Sequence, residues 1–411
     1  MEFKEYRLSE LDLIIGDGNY SSKYPKKNEF LSYGIPFLSA SDFDGRNFSF
    51  SNVKYISPEL NKKLLKGHIR NGDILLVVRG NGVGKVGYYF SDNNACNINA
   101  QLAFIRCENR VCNSEYLYYY FVSHFDGLKN LSTGSAQPQL TISNLIKMKV
   151  EVPSLKNQKK IVRVLSSLDA KIELNNKMND SLYDMLKLEF RNKFYTLNDN
   201  LSRLIDLIDE TLGGDWGKEK SEGNNNTKVF CIRGADIPSM EFGNKGKAPI
   251  RYILEKNYDK KKLTQDSIII EISGGSPTQS TGRTAYITGN IIQSYENPII
   301  CTNFCRAIKL KQKEYAPFLY MTLKLMYEDK LLFNWENGTT GIKNLALSDM
   351  LENLEVGIPN DEELNKYNIM FNSIMNKISS NSNENETLIK LRDTLLPKLM
   401  NGEIDLENIK V

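Results

Sequence analysis

Six cysteines and two histidines are the residues of this 411-residue chain best suited to metal or redox chemistry, and their placement argues against both. Of Cys96, Cys107, Cys112, Cys231, Cys301 and Cys305, only the last two stand at a regular spacing, and neither His68 nor His124 lies near them. A zinc site asks for more ligands at tighter spacing, so these thiols read as reduced core residues. "GNGVGK" (80–85) offers phosphate chemistry at first sight. Yet Gly80 and Gly84 stand one residue too close for G-x-x-x-x-G-K-[ST], and Val86 occupies the hydroxyl position. A hairpin turn accounts better for the glycines. Two histidines furnish no Ser–His–Asp or Cys–His set. The P-D…(D/E)-x-K run of nuclease cores is missing, as are the Asn-Pro-Pro-Tyr and Asp-Pro-Pro-Tyr of amino-methyltransferases. What remains is the chemistry of binding.

Charge distribution points to the kind of ligand. The formal net charge is only +3, but it is unevenly spread. Lys54, Lys62, Lys63, Lys66, Arg70, Arg79 and Lys85 face only Glu59 and Asp73 within one short stretch. Lys245, Lys247, Arg251, Lys256, Lys260, Lys261 and Lys262 face only Glu255 and Asp259 in another. The rest of the chain is therefore net acidic. One basic run reads as a solvated face; two at matching places suggest a polyanion.

They match because the chain repeats itself. From Ile161 a heptad seam runs through Leu165, Leu168, Ile172, Asn175, Asn179, Leu182 and Leu186. At an offset of 206 residues it returns as Tyr367, Phe371, Ile374, Ile378, Asn381, Asn385 and Leu388, with Pro153 and Pro359 before the two helices. Further upstream the offset shortens to 194, aligning "GIPFLSASDFDG" (34–45) with "KVFCIRGADIPS" (228–239) and "NGDILLVVRGNG" (71–82) with "QDSIIIEISGGS" (265–276). Buried seam asparagines lower stability but fix register, since an amide slipped opposite leucine is unsatisfied. Antiparallel packing would bring Asn175 and Asn179 to Asn381 and Asn385. A helix of roughly 40 residues is about 60 Å long, the length of a ruler.

The fold class expected is α+β: two tandem mixed domains separated by two long helices that form an antiparallel coiled coil, with a pseudo-two-fold repeat. The boundaries are residues 1–153 and 197–359 for the domains, 154–196 and 360–402 for the helices, and 403–411 for a tail. "DILLVV" (73–78), "KVGYYF" (85–90) and "QLAFIRC" (101–107) predict strands, and "SEYLYYYFVSHFDGL" (114–128) a helix with its tyrosines in the core. "SIIIEI" (267–272), "GRTAYI" (282–287), "NFCRAIKL" (303–310) and the helix-like run from Ala316 repeat the pattern. No stretch approaches the roughly 18 apolar residues of a membrane span. The N-terminus lacks a signal peptide's layout, so a cytoplasmic protein is expected.

The phrases "STGSAQPQLTISNLIKMKVEVPS" and "NQKKIVRVLSSLDAKIELNN", the two-fold layout and the closing "LLPKLMNGEIDL" resemble the specificity subunit of Type I restriction–modification systems. The resemblance covers essentially the whole chain. It implies a non-catalytic DNA-recognition subunit in host defence. Each domain would read half of a split target in double-stranded DNA, and the coiled coil would set the gap and dock two methyltransferase subunits. DNA methylation and cleavage would belong to those partners and to motor/endonuclease subunits. The chain itself would bind no cofactor, with S-adenosylmethionine, ATP and Mg held by the partners. A protein-interaction adaptor or decoy of the same architecture is the alternative. A single-chain restriction–methyltransferase is excluded because two repeats fill the chain.

On that reading the candidate DNA-contacting loops are those that match across the repeat. The first holds Ser39, Ser41 and Asp42, opposite Arg233, Gly234 and Asp236. The second holds Arg79, Asn81 and Lys85, opposite Ser276, Thr278, Gln279 and Arg283. The third holds Thr133, Ser135, Gln137 and Gln139, opposite Thr339, Thr340, Lys343 and Asn344. Lys62, Lys63, Lys66, Lys256, Lys260 and Lys261 are candidates for phosphate contact. Turn chemistry is the competing account of every loop.

Overall fold

Strand-forming runs and the helical seam find their places in a computed structural model. It describes residues 1–20, 24–44, 46–50, 52–80, 82–93, 95–107, 111–130, 132, 138–195, 197, 199–274, 279–338, 343–404 and 406. The first domain contains β1 (Leu13–Asp17), β2 (Ile35–Leu38), β3 (Lys54–Ile56), β4 (Ile74–Val77), β5 (Val86–Tyr88), β6 (Cys96–Ile98) and β7 (Leu102–Cys107). Helices α1 (Ser114–Ser123) and α2 (Leu155–Lys193) follow. The second domain contains β8 (Ile208–Gly213), β9 (Asn225–Ile232), β10 (Ile250–Leu254), β11 (Ile268–Glu271), β12 (Thr284–Tyr286), β13 (Ile299–Cys301) and β14 (Cys305–Leu310). Helices α3 (Ala316–Glu328) and α4 (Asp361–Met400) complete it.

The duplication is topological as well as sequential. One sheet of the first domain runs β1-β7-β4-β5, and its counterpart runs β8-β14-β11-β12. The other runs β3-β2-β6, with β2 and β6 parallel, and its counterpart runs β10-β9-β13, with β9 and β13 parallel. A further edge strand, His68–Ile69, pairs with β6 in the first domain. The hairpin expected at "GNGVGK" joins β4 to β5 in antiparallel register, and Gly80 and Gly84 adopt φ of 91° and 93°. Left-handed backbone at such angles favours glycine.

The chain divides into two compact units, Met1–Ala170 with Ile389–Val411, and Lys171–Leu388. These cut inside both long helices, unlike the sequence-based boundaries, because each helix half packs with a different domain. In the first unit, alternate residues of β4 enter two cores. Ile74 and Leu76 meet α1, Ile161 and Leu165 of α2, and Leu396, Leu399 and Met400 of α4. Leu75 and Val77 face Leu38 and Ile98 of the second sheet. The second unit repeats this: Ile268 and Ile270 meet α3, Tyr183, Leu186 and Phe190 of α2, and Tyr367, Phe371 and Ile374 of α4. Ile269 joins Ile232 and Ile299 instead. A strand buried on both faces explains the continuous apolar runs "DILLVV" and "SIIIEI", since period-two alternation has no wet side. The tyrosines of α1 are buried, as their composition suggested.

The helix pair is antiparallel and its asparagines meet within the second unit. Asn175 donates to Asn385 Oδ1 and to Glu384 Oε2, each at 2.9 Å, and Asn381 donates to Asn179 Oδ1 at 2.8 Å. Asn179 reaches Ser382 Oγ at 3.3 Å, and Asn385 reaches Asn176 Oδ1 at 2.8 Å. All four seam amides are buried, Asn175 and Asn381 to 1% exposure. Ile374 and Ile378 are also buried, whereas Leu168, Ile172, Leu182 and Leu388 are half-buried. In the first unit the polar anchor is Asp169 of α2, which accepts from Arg46 and Arg392 at 2.9 Å each and from Tyr119 at 2.5 Å. All six cysteines are buried thiols outside any disulfide, and burial pushes those of Cys96, Cys231, Cys301 and Cys305 up to about 12. Among the described residues no helix is long and apolar enough to cross a membrane.

Asn179→Leu strands the Asn381 amide and should cost about 1–3 kcal/mol. Asp169→Ala removes a buried carboxylate shared by two half-buried arginines and should cost about 3 kcal/mol. Denaturant midpoints read both, and a wild-type midpoint for Asn179→Leu would remove the seam's role in alignment.

Candidate nucleic-acid interface

The first predicted loop is built around an aspartate in each domain. Ser39 donates its backbone N–H and its hydroxyl to Asp42 Oδ2, both at 2.7 Å. Arg233 donates its backbone N–H to Asp236 Oδ2 at 3.0 Å, and its guanidinium to both Asp236 oxygens at 2.9 and 3.0 Å. Turn chemistry thus holds both loops, and Ser41 stands exposed beside its turn. Burial raises the pKa of the Asp236 carboxyl, but hydrogen bonds from Arg233 and Lys247 more than offset this, leaving it below the ordinary carboxylate value.

Backbone pairing brings the second and third loops together. Arg79 bridges to Gln139, and Leu140 donates its N–H to Val78 O at 2.9 Å. Ser273 pairs with Asn344, and Gly274 with Lys343, at the corresponding place in the second domain. The candidates differ in what the fold places beside them. Arg283 makes a two-pronged pair with Glu271 at 2.6 and 2.8 Å, so it braces the sheet. Lys343 pairs with Glu336 at 2.7 Å, and Lys261 donates to Gly214 O at 2.8 Å. Lys66 pairs with Asp17 at 2.8 Å but stays exposed. Lys62, Lys63, Lys85, Lys256, Lys260 and Asn344 are exposed, as is Gln279, which donates to Tyr327 OH. Asn81, Thr133, Ser135, Gln137, Ser276, Thr278, Thr339 and Thr340 lie outside the described residues.

Two surface aromatics escaped the sequence reading. Tyr20 is 55% exposed, with Lys66 Nζ 4.8 Å and the Arg79 guanidinium 5.2 Å from its ring centre. Trp216 is 40% exposed, with the Arg251 guanidinium 4.2 Å from its ring. The two sites correspond. A Cβ added to Gly18 would stand 1.9 Å from Asn99 O, and one added to Gly214 would stand 2.0 Å from Thr302 O. Only glycine admits that approach, and each aromatic follows its glycine by two residues. The signal was there in "IGDGNY" (15–20) against "LGGDW" (212–216), had the repeat been traced further upstream. Exposed rings beside cations suit stacking and polyanion binding together. On the helices, Leu174, Met178, Met185 and Leu188 form an exposed apolar stripe along α2. Among the described residues no group of His, Cys, Asp and Glu could hold a metal ion.

The description "Type I restriction modification DNA specificity domain" matches this sequence over residues 2–183 and again over 202–390. Across 98% of the chain, the sequence is 27% identical to the Type I restriction enzyme MjaIX specificity subunit of Methanocaldococcus jannaschii, 94% of which is covered. It is 23% identical to the Type I restriction enzyme HindI specificity subunit of Haemophilus influenzae, over 98% of this chain and all of that one. Among solved structures, the Type I restriction–modification S subunit from M. genitalium aligns with a TM-score of 0.58 at 16% identity, covering 97% of this chain and 96% of its own. At that identity the likeness speaks for the fold alone.

Asp236→Asn should cost about 1–2 kcal/mol at neutral pH, since its guanidinium partner is partly exposed. Because the folded carboxyl titrates below its unfolded value, the unfolded state binds protons first as pH falls. The stabilisation is therefore complete above about pH 4 and lost below it. Thermal unfolding of wild type and variant from pH 7 to pH 3 should converge at the acid end.

Proposed function

The chain belongs to the Type I restriction–modification DNA specificity family, and from that membership we propose that its two domains each read one half of a split DNA target. The observation that carries this is the recurrence of one loop frame, with different exposed side chains in each copy. A frame built twice offers two readers; different exteriors let them read different bases. Cations beside Tyr20 and Trp216 supply salt-sensitive phosphate affinity, while neighbouring polar side chains read base edges.

The helix pair sets the gap between half-sites and carries the partners. Its register is pinned by amides, so its length is a fixed quantity, and the stripe from Leu174 to Leu188 offers apolar area to a methyltransferase subunit. Two such subunits, with S-adenosylmethionine, methylate adenine, and motor/endonuclease subunits using ATP and Mg cleave unmodified DNA. This chain contributes recognition and no catalysis, and works in the cytoplasm where the DNA is.

Methylation mapped across the genome of a cell expressing the chain with its partners should reveal a bipartite adenine motif. An undivided motif, or none, would overturn the proposal. Removing four or seven residues from both helices should change the gap and leave both half-sites intact, in the same assay. The isolated chain should bind duplexes weakly by gel shift and become sequence-selective when methyltransferase subunits are added.

A further inference from the structure

Coinciding frames allow the two domains to be compared position by position. Val78 donates its N–H to Gln101 O, and Ile272 donates its own to Phe304 O, each at 2.8 Å. Asn99 and Thr302 donate to Leu38 O and Ile232 O, each at 2.9 Å. These bonds, with the aspartate turns, equate Tyr20, Ser39, Arg79 and Gln101 with Trp216, Arg233, Ser273 and Phe304. The first set is rich in hydrogen-bonding groups. The second is aromatic at both ends.

In the second domain these four residues, with Ala235 and Thr302, border a cavity of about 430 Å3. Phe304 is 58% exposed at its mouth, a large apolar ring left on the surface. Burial does not account for it, and the family to which the chain belongs says what would cover it. Arg233 is part of the lining, with its guanidinium paired to Asp236, and Arg251 backs Trp216 with Glu219 3.7 Å away. Glu271, the carboxylate in the lining, is matched by the Arg283 fork at 2.6 and 2.8 Å and so presents no net repulsion to phosphate. An apolar slot whose lining charges are paired off, in a chain of a DNA-specificity family, fits the apolar edge of a base.

We infer that this slot receives the C5-methyl edge of a thymine in the half-site read by the second domain, with Phe304 as a specificity-determining residue. The inference rests on the function proposed above and names the base feature that one of its readers detects. In the major groove the methyl group is what sets thymine apart, and phenylalanine and alanine side chains are suited to contact it. Gln101 at the matching place in the first domain is a hydrogen-bonding group instead, so recognition through a methyl belongs to one domain only.

Deoxyuridine, which lacks only that methyl, supplies the test. The full chain with its methyltransferase partners is assayed on duplexes bearing its mapped target, with each thymine of both strands replaced in turn. One replacement, in one half-site, should lower kcat/KM for methylation roughly fourfold, the factor expected for one buried methyl group. Phe304→Gln should abolish that drop while keeping the wild-type response to base changes in the other half-site, which also shows that the variant is folded. Uridine tolerated at every position, a target without thymine, or a drop that persists in Phe304→Gln would overturn the slot and leave the proposed function standing. Absence of any sequence-selective methylation would overturn both.

Discussion

Four amides buried between two long helices fix the register of the pair within the second unit. Asn175 with Asn385, and Asn179 with Asn381, meet only in the observed antiparallel register, which leaves one buried oxygen, Asn175 Oδ1, without a partner. A slip by one heptad would set amides against Leu182 or Ile374 and leave polar groups unpaired in an apolar seam. Each domain is in turn packed on its own portion of the pair: α1 with Ile161 and Leu396, α3 with Tyr183 and Tyr367. Loss of register would therefore reach both cores. A single apolar seam could have been stickier, but it would have specified less.

Within each domain, the structure separates a frame from a face. The frame consists of Gly18 or Gly214 against a backbone oxygen, an aspartate closing its turn, and paired loops behind. Little about it tolerates change, because backbone approaches of this kind leave no room for a Cβ. The face consists of residues such as Tyr20, Ser41, Trp216 and Phe304, which are exposed and bear little of the packing. Their identities can vary at small cost to stability. That division lets one architecture serve both copies while their exposed residues differ.

Much of this was legible in the sequence, and unevenly so. The helix pair showed itself through spacing, because heptad periodicity and a 206-residue echo survive any surface divergence. The sheets showed through because strands buried on both sides must be apolar throughout. The face was harder. Lys261, Lys343 and Arg283 stand among the DNA-contact candidates, and nothing in their spacing reveals that Gly214, Glu336 and Glu271 fold up against them. Tyr20 and Trp216 were passed over for the opposite reason, as one aromatic looks like any other until its burial is known. Pairing partners and exposure are tertiary facts, and local pattern carries them only where a repeat allows two copies to be compared.

The closing residues of α4, and Leu406 beyond it, lie in the core of the first unit, where Leu396, Leu399, Met400 and Leu406 pack with side chains from strands near the beginning of the chain. During synthesis, therefore, the domain translated first remains incomplete until the ribosome has produced the whole of the second. Its half-built core must wait, either loosely folded or shielded by chaperones, while the later domain forms around its own portion of the helices. A message cut short just after Leu388 would leave the second unit's share of α4 in place and strip Leu396, Leu399, Met400 and Leu406 from the first core, and cellular proteolysis would be expected to remove the product.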